Sequence, residues 1–370
     1  MEIKIVKTRR DFRDFVMLPW KIYRKDPAWV PPLISEVKFV LSTKQNPFWK
    51  HAELKLFLVK KKRKVMGRIA AIIDQNHIQF HKEKVGFFGF FECFNNYEVA
   101  ELLLSAAKMY LRENGMEIMR GPMNPTVYEE CGTLIKGFDS QPYVMMTHNP
   151  PYYPQYFDRF GLVKAVDWYA YLGEVSPEPP KTAVIAAKYA AENYPQVKVR
   201  PMQMEKYDQE VQKIKEVFNA AWSKNWGHEP FTDDEMKALA KRLKPLAVPE
   251  LAYFAEIEGK PIGVLIAIPN FNEVLKHLNG RLFPFGWIKA LYYARKIKTA
   301  RLIIMGVLEE YRKMGVEALM YVAAHKAGYK LGYKWVEASM ILEQNNLTRK
   351  AAEAFSTKPY KIYRIYDIRI

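Results

Sequence analysis

The stretch RLIIMGVLEEYRKMGVEAL, residues 301–319, joins a strand pattern directly to a helix pattern. Leu302 to Leu308 is an apolar run of strand length, and a helical pattern then continues through Leu331. A short basic turn lies between them, and its glycine allows the backbone to approach a ligand closely. The turn consists of Tyr311, Arg312, Lys313, Met314 and Gly315.

The predicted helix start is suited to bind an anion. The first four N–H groups of a helix lack intrahelical partners, and the helix dipole adds partial positive charge at that end. A diphosphate is therefore the ligand that this turn predicts. A plain strand-to-helix turn explains the same residues, because an R-x-x-G spacing often occurs by chance.

The composition favours an anionic partner. The chain has 57 Lys and Arg against 40 Asp and Glu, a net charge of +17, which suits a phosphorylated cofactor, a nucleic acid or a membrane surface. Two cysteines, Cys93 and Cys131, do not form a disulfide framework and favour a reducing compartment, so we expect a cytoplasmic protein. We expect neither a signal peptide nor a transmembrane segment, because no apolar run has the required length.

The two halves of the chain match each other at a constant offset without gaps. The matched pairs include Gly89 with Gly306, Leu102 with Leu319, and Gly115 with Gly332. A strand, a helix and the glycine that ends it thus repeat in register. We predict two related α/β domains, residues 1–173 and 197–370, joined by a proline-containing linker and helix at 174–196. An insertion at 270–298 distinguishes the second domain.

The same offset shows a chemical difference between the halves. Arg312 is matched by Asn95, and Gly315 is matched by Glu98. The first half therefore lacks both the cation and the glycine, and it carries a carboxylate that would repel a phosphate. We expect only the second half to bind diphosphate.

The order of elements in the second half resembles the GNAT acyltransferase superfamily. Strand, helices, hairpin, strand, R-x-x-G turn, helix and strand follow one another over most of residues 197–370. The whole chain resembles a tandem of two such folds with a degenerate first copy, similar in outline to N-myristoyltransferases and Fem-type aminoacyl transferases. The resemblance implies an α/β fold in which each copy is a mixed, mostly antiparallel twisted sheet flanked by helices.

The resemblance also implies a site for acetyl-coenzyme A or another acyl-coenzyme A. The diphosphate would lie on backbone amides of the turn, the pantetheine arm along the preceding strand, and an Asn after the next strand would help to place the arm. The matching positions are Gly306, Val307, Tyr311, Arg312, Lys313, Met314, Gly315, Val316, Asn345 and Asn346. One position departs from the family pattern, because Glu317 stands where the family has a small residue.

Three residues are candidates for acid–base catalysis. Glu229 and His228 follow the first helix of the second domain, where this superfamily commonly builds acceptor sites. A loop glutamate is equally explained as a solvated surface group. In the first half, NPPYYPQYFDRFGL (149–162) resembles the terminal motif of the family, with Tyr156 as an aromatic acid candidate.

Two further features have several explanations. His77, His81 and Asp74 invite a metal interpretation, but the segment reads as a strand end and loop with no third ligand at a typical spacing, so we predict no metal site. The aromatic and basic insertion suits a lid over the acceptor, an interfacial membrane helix, a nucleic-acid surface, or a helix packed on its own sheet.

These observations lead to one main hypothesis of function and two alternatives. The main hypothesis is an acyl-coenzyme A-dependent N-acyltransferase, which transfers an acyl group to an unidentified small-molecule or peptide amine. The first alternative is a non-catalytic tandem GNAT-like binding protein. The second is an aminoacyl or RNA-linked transferase, which the net charge permits, although nucleic-acid binding is not favoured.

Overall fold

The computed structural model describes residues 1–353 and 358–370 of the chain. Contacts within the chain divide it into two compact units. Unit 1 comprises Met1–Trp168, Val274–Tyr292 and Lys361–Ile370, and unit 2 comprises Tyr169–Glu273 and Tyr293–Tyr360.

The first half of the chain contains nine strands and six helices among the residues described. The strands are β1 (Glu2–Ile5), β2 (Ala52–Lys61), β3 (Lys64–Asp74), β4 (Val85–Cys93), β5 (Ile118–Gly121), β6 (Met123–Asn124), β7 (Glu130–Cys131), β8 (Thr133–Lys136) and β9 (Val163–Glu174). The helices are α1 (Arg9–Met17), α2 (Pro19–Ile22), α3 (Ile34–Val40), α4 (Gln75–His81), α5 (Tyr97–Glu113) and α6 (Tyr152–Phe160).

The second half is richer in helix. Its helices are α7 (Lys181–Asn193), α8 (Tyr207–Ala221), α9 (Asp233–Leu243), α10 (Asn272–Leu275), α11 (Gly286–Ala294), α12 (Val316–Lys330) and α13 (Asn346–Glu353). Its strands are β10 (Lys198–Pro201), β11 (Ala252–Ile257), β12 (Lys260–Pro269), β13 (Thr299–Val307), β14 (Trp335–Leu342) and β15 (Lys361–Arg369).

The sheet of unit 1 has the order β1-β2-β3-β4-β5-β15. All neighbouring pairs are antiparallel except β4 and β5, which are parallel. The last strand of the chain is fixed in this sheet by a bidentate ion pair, in which Arg120 Nε and Nη2 each donate to Asp367 at 2.9 Å. The guanidinium of Arg120 is therefore already paired with a carboxylate within the sheet.

The sheet of unit 2 has the order β10-β11-β12-β13-β14. It repeats the pattern of unit 1, because only the β13–β14 pair is parallel. Helices cover both faces. On one face α8 buries Val211, Ile214 and Val217, and on the other α12 buries Val316 and Met320. Each such side chain removed from water stabilises the fold by roughly 1.5–3 kcal/mol.

Several local predictions are confirmed. Both halves contain an antiparallel hairpin, a strand and a helix in the same order, and Gly115 and Gly332 follow their helices with φ of 81° and 86°. Thr232 and Glu235 form the capping box at the start of α9. The mixed, mostly antiparallel sheets flanked by helices agree with the predicted fold class.

Other local predictions were wrong or incomplete. The segment that holds His77 and His81 is helix α4 and not a loop, so the two imidazoles share one helix face with ring centroids 4.4 Å apart. Burial lowers the pKa of His77 to about 4. Helix α11 of the insertion does not pack on a sheet, because none of its residues is buried.

The domain boundaries predicted from the sequence remain a prediction. Residues 274–292 and β15, which that prediction assigns to the second domain, cluster with unit 1. Helix α7, predicted as part of a linker, packs against α12 within unit 2.

A buried ion pair joins the two parallel strands of unit 2. Arg301 on β13 and Glu337 on β14 are direct partners in the strand register, with Nε and Oε1 3.8 Å apart. Arg301 Nε also donates to Ser339 Oγ at 2.7 Å, and the Tyr360 hydroxyl donates to Glu337 Oε2. These hydrogen bonds compensate part of the cost of removing both charges from water.

We expect Glu337→Leu to lower the free energy of unfolding of the chain by about 3–5 kcal/mol, because it leaves the Arg301 charge buried without its counter-ion. Replacing both residues in Arg301→Met/Glu337→Leu should recover most of that loss. Urea unfolding measures the free energy of unfolding of both variants. The control is Glu117→Ala, which removes an exposed ion pair with Lys84. Equal effects of Glu337→Leu and the control would contradict the role assigned to the buried pair.

Candidate active site

Strands β13 and β14 diverge and open a cleft in unit 2. Their parallel pairing runs from Thr299↔Trp335 to Leu302↔Ala338, whereas β13 continues to Val307 and β14 to Leu342. Amide directions alternate along a strand. Because Leu308 N–H donates to Ile262 O of β12, the N–H groups of Val307 and Met305 point to the opposite edge, into the cleft. Two amide donors thus face the place where an acyl carbonyl would lie in a thioester site.

The predicted turn follows directly after β13. Residues Glu309–Met314 form a 3-10 helix, and Gly315 has φ of 73°, a left-handed conformation that favours glycine. A Cβ at Gly315 would lie 3.1 Å from both Ala186 O and Ala190 Cβ of α7. Helix α12 begins at Val316 without a side-chain cap from its N-cap residue. The N-cap residue therefore leaves the first amide groups of the helix to other partners.

The side chains of the turn have different surroundings. Tyr311 and Met314 pack against the core of unit 2, and Lys313 is exposed. Arg312 is exposed but hydrogen-bonded, with Nε donating to Val307 O at 3.1 Å and Nη2 donating to Ala221 O at 2.6 Å. Its guanidinium therefore links the end of β13 to the carboxyl end of α8, where the helix dipole favours a cation.

Glu317 occupies the start of α12. Its carboxylate accepts a hydrogen bond from its own backbone amide. Burial raises the pKa of this carboxyl, and that amide and the nearby Arg312 partly oppose the shift. An incoming phosphate would have to share or displace this carboxylate.

Aromatic residues cover the strand face beside the cleft. A Cβ at Gly306 would lie 2.2 and 2.3 Å from two ring carbons of Trp222, so only glycine allows the indole to lie on the strand. Trp222 stacks on Phe218 with ring centroids 4.7 Å apart, and Phe218 in turn lies 5.8 Å from the ring of His228. The stack thus connects the predicted catalytic segment to β13. Sequence reasoning missed Trp222, although a glycine inside a strand signalled a close approach.

The three predicted catalytic residues are not all in one unit. His228 is buried and Glu229 is half-buried in the segment between α8 and α9 of unit 2. Tyr156 lies on α6 of unit 1, and its hydroxyl donates to Asn95 Oδ1. The two asparagines after β14 also differ. Asn345 Oδ1 accepts from Thr348 N–H at the start of α13, whereas Asn346 is exposed.

The corresponding cleft of unit 1 is filled by its own chain. Parallel pairing of β4 and β5 ends at Phe87↔Arg120, and beyond that point Phe90 N–H donates to Asn124 Oδ1 at 2.5 Å. Helix α5 is capped, because the Asn96 side chain accepts from Glu98 N–H. That unit 2 alone binds diphosphate remains a prediction.

Unit 1 contains a buried polar cluster that sequence reasoning missed. The hydroxyls of Tyr23 and Tyr153 donate to Glu92 Oε2 at 2.8 and 2.7 Å, and Arg68 Nη2 lies 4.0 Å from Glu92 Oε1. Burial raises the pKa of Glu92, although Arg68 and the two hydroxyls oppose the shift. Arg68 and Glu92 are cross-strand partners, which becomes evident only when the strand register is known.

The diverging parallel strands, the glycine turn and the helix that follows define the GNAT N-acetyltransferase fold, here in tandem. Two solved structures share it. A tandem GNAT protein from the clavulanic acid biosynthesis pathway aligns over 100% of this chain and 98% of its own, with a TM-score of 0.57 and 12% identity. A GCN5-related glucosamine N-acetyltransferase region in a fungal multi-domain β-N-acetylglucosaminidase aligns over 99% and 38%, with a TM-score of 0.58 and 13% identity. At such identities the likeness concerns the fold alone.

Sequence comparison identifies the family more narrowly. The chain is 37% identical to the bacterial ceramide synthase of Caulobacter vibrioides, over 98% of this chain and 96% of that protein. It is 32% identical to protein YghO of Escherichia coli, over 100% and 95%. This chain belongs to the family that contains those two proteins. No protein-family model matches it.

We expect Arg312→Glu to weaken coenzyme A binding at least about tenfold, because it reverses a charge at the turn and removes the hydrogen bonds to Val307 O and Ala221 O, worth roughly 1.5–3 kcal/mol each, that hold the turn in position. Titration calorimetry should give one site per chain for the wild-type protein. Arg63→Glu makes the same charge change at an exposed hairpin tip, and Asn95→Glu alters the matched position of unit 1. Neither should change the affinity. Two equal sites, or an affinity unaffected by Arg312→Glu, would place the cofactor elsewhere.

If coenzyme A binds at this turn, the raised pKa of Glu317 should make its affinity depend on pH. Its carboxylate gains charge as pH rises through the folded-state pKa, so affinity should fall over that window, and charge on this buried group should also cost stability there. Glu317→Gln should bind at least about fivefold more tightly above that pKa, because two unit charges 4 Å apart repel by ~1 kcal/mol even in water. Subtracting the wild-type binding free energy from that of the variant at each pH removes the contribution from the titration of coenzyme A itself. If the difference in binding free energy does not change with pH, Glu317 does not lie at the phosphate site.

Proposed function

We propose that this protein is an acyl-coenzyme A-dependent N-acyltransferase whose acceptor is the primary amine of a long-chain amino alcohol. The observation that carries the proposal is the pair of diverging strands in unit 2, which lead to an uncapped helix start through a left-handed glycine. The acceptor class is supported by the name of the relative from Caulobacter vibrioides, since a ceramide is the N-acyl derivative of such an amine.

In the proposed reaction the amine nitrogen attacks the thioester carbonyl, the C–S bond breaks and an amide C–N bond forms. The sulfur leaves as coenzyme A thiol, and the ammonium proton is lost to a base. In this proposal the N–H groups of Val307 and Met305, which point away from β12, would donate to the carbonyl oxygen as it gains negative charge. The amides from Gly315 to Glu317 would hold the diphosphate, with Gly306, Asn345 and Asn346 beside the pantetheine arm.

Glu229 is our candidate for the general base, and His228 is the second. The stack of Trp222, Phe218 and His228 brings this segment to the end of β13, where the thioester would lie. The same aromatic surface would accommodate an apolar chain. Tyr156 remains a predicted acid, and its contact with Asn95 lies within unit 1.

The test is a turnover assay on the full chain with acetyl- and palmitoyl-coenzyme A, using a long-chain 2-amino-1,3-diol and a short amino alcohol as acceptors. Thiol release and amide mass are both measured. We expect amide formation with the long-chain amine, and Glu229→Gln should lower kcat about 10²- to 10⁴-fold while coenzyme A still binds. Glu216→Gln on the exposed face of α8 is the matched control.

Binding of coenzyme A without thiol release for any amine would favour the non-catalytic alternative. Turnover limited to acetyl-coenzyme A and the short amine would retain the acyltransferase reaction but exclude the lipid acceptor. If Glu229→Gln has the same kcat as the control variant, the general base is His228 or water instead of Glu229.

A further inference from the structure

Residues 281–292 expose a dense group of large apolar side chains. Six of them lie within ten residues and are between 47% and 78% exposed: Phe283, Phe285, Trp287, Ile288, Leu291 and Tyr292. Helix α11, which carries four of them, has no buried residue. Contiguous exposed apolar surface of this kind marks an interaction site rather than ordinary surface.

The segment is held firmly on unit 1. Ile34 N–H donates to Gly280 O at 2.9 Å, and Trp20 Nε1 donates to Asn279 Oδ1 at 3.1 Å. Gly280 has φ of 79°, and a Cβ there would lie 2.6 Å from the Trp20 ring. Val274 and Leu278 are buried at its base. The exposed side chains are therefore presented on an anchored platform.

The charge of the surrounding sequence indicates the nature of the partner. Residues 274–298 contain six Lys or Arg and no Asp or Glu. Within unit 1 these cations include Arg281 and Lys289, both exposed beside the apolar side chains. A surface that is both aromatic and cationic matches a bilayer interface, where rings lie at the headgroup level and cations meet anionic lipids.

We propose that residues 281–292 dock this protein on the surface of an anionic phospholipid bilayer. Within residues 1–353 and 358–370, every helix is too short or too polar to traverse a membrane, so docking would be peripheral. A second copy of the chain is a poor occupant, because it would place two cationic segments face to face. A nucleic acid would satisfy the charges but would leave Ile288 and Leu291 without a stacking role.

The test is flotation of the full-length protein with vesicles of phosphatidylglycerol and phosphatidylethanolamine, compared with phosphatidylcholine vesicles. We expect binding to the anionic vesicles, and Phe285→Ser/Ile288→Ser/Leu291→Ser should weaken it at least about tenfold by removing apolar surface from the interface. Arg281→Ala/Lys289→Ala should weaken it roughly 25-fold at low salt, since each cation contributes about fivefold. That second loss should shrink at high salt.

The control is Met109→Ser/Val163→Ser, which removes exposed apolar side chains elsewhere on unit 1 and should bind as wild type does. Thermal unfolding checks that the variants fold. The proposal fails if wild-type protein ignores anionic vesicles, or if the triple variant binds them equally well. It also fails if the triple substitution converts a dimer to a monomer without changing vesicle binding, which would indicate a second copy of the chain. Loss of RNA binding without a change in vesicle binding would likewise contradict it and indicate a nucleic acid. Vesicle binding needs no turnover, so its outcome is independent of the proposed reaction.

Discussion

The buried ion pair between Arg301 and Glu337 fixes the point at which the two parallel strands of unit 2 separate. The strands remain paired through Leu302 and Ala338, one residue past this contact, and then diverge. A charged pair is costly to bury, and apolar residues would hold the strands at least as well. In the observed register, Ser339 and Tyr360 also form hydrogen bonds with these same two side chains. The directions of the Val307 and Met305 amides are set by the pairing of β13 with β12, on the other edge of the strand.

The two units share one topology, but the cleft beside the parallel strands is filled in unit 1 and open in unit 2. In unit 1 the Asn124 amide side chain occupies the diverging strands, and Asn96 caps the helix that follows. In unit 2 the equivalent helix begins at a left-handed Gly315 without a side-chain cap. A cleft filled by side chains gains hydrogen bonds and rigidity, whereas an open one retains oriented donors for a ligand. The buried Glu92 cluster adds to the rigidity of unit 1, since a hydrogen-bonded polar network inside a core is costly to rearrange.

The turn of unit 2 combines a structural cation, Arg312, with a half-buried carboxylate, Glu317. Arg312 donates its hydrogen bonds to the carbonyl oxygens of Val307 and Ala221. Its side chain therefore positions the turn and adds positive charge there, rather than binding a phosphate directly. Glu317 already interacts with the helix start. If the proposed diphosphate binds at this turn, the carboxylate of Glu317 would compete with it for the same amide group.

Most secondary structure and the location of the glycine turn were evident from the sequence. Hydrophobic periodicity, the capping box at Thr232 and the positions of glycine are local signals, and they correctly predicted β13, α9 and α12. The family pattern then suggested the fold. Position-specific departures such as Glu317 were also readable, because they need only the neighbouring residues for their interpretation.

Contacts between distant residues were decided by the tertiary structure alone. Arg120 meets Asp367 across 247 residues, Arg312 reaches Ala221 O across 91, and the indole of Trp222 lies on Gly306. Exposure of the insertion was equally hidden, because an aromatic and basic segment has the same sequence whether it packs on a sheet or faces solvent. Periodicity specifies which face of an element is apolar, but the strand register and the packing of helices decide what that face meets.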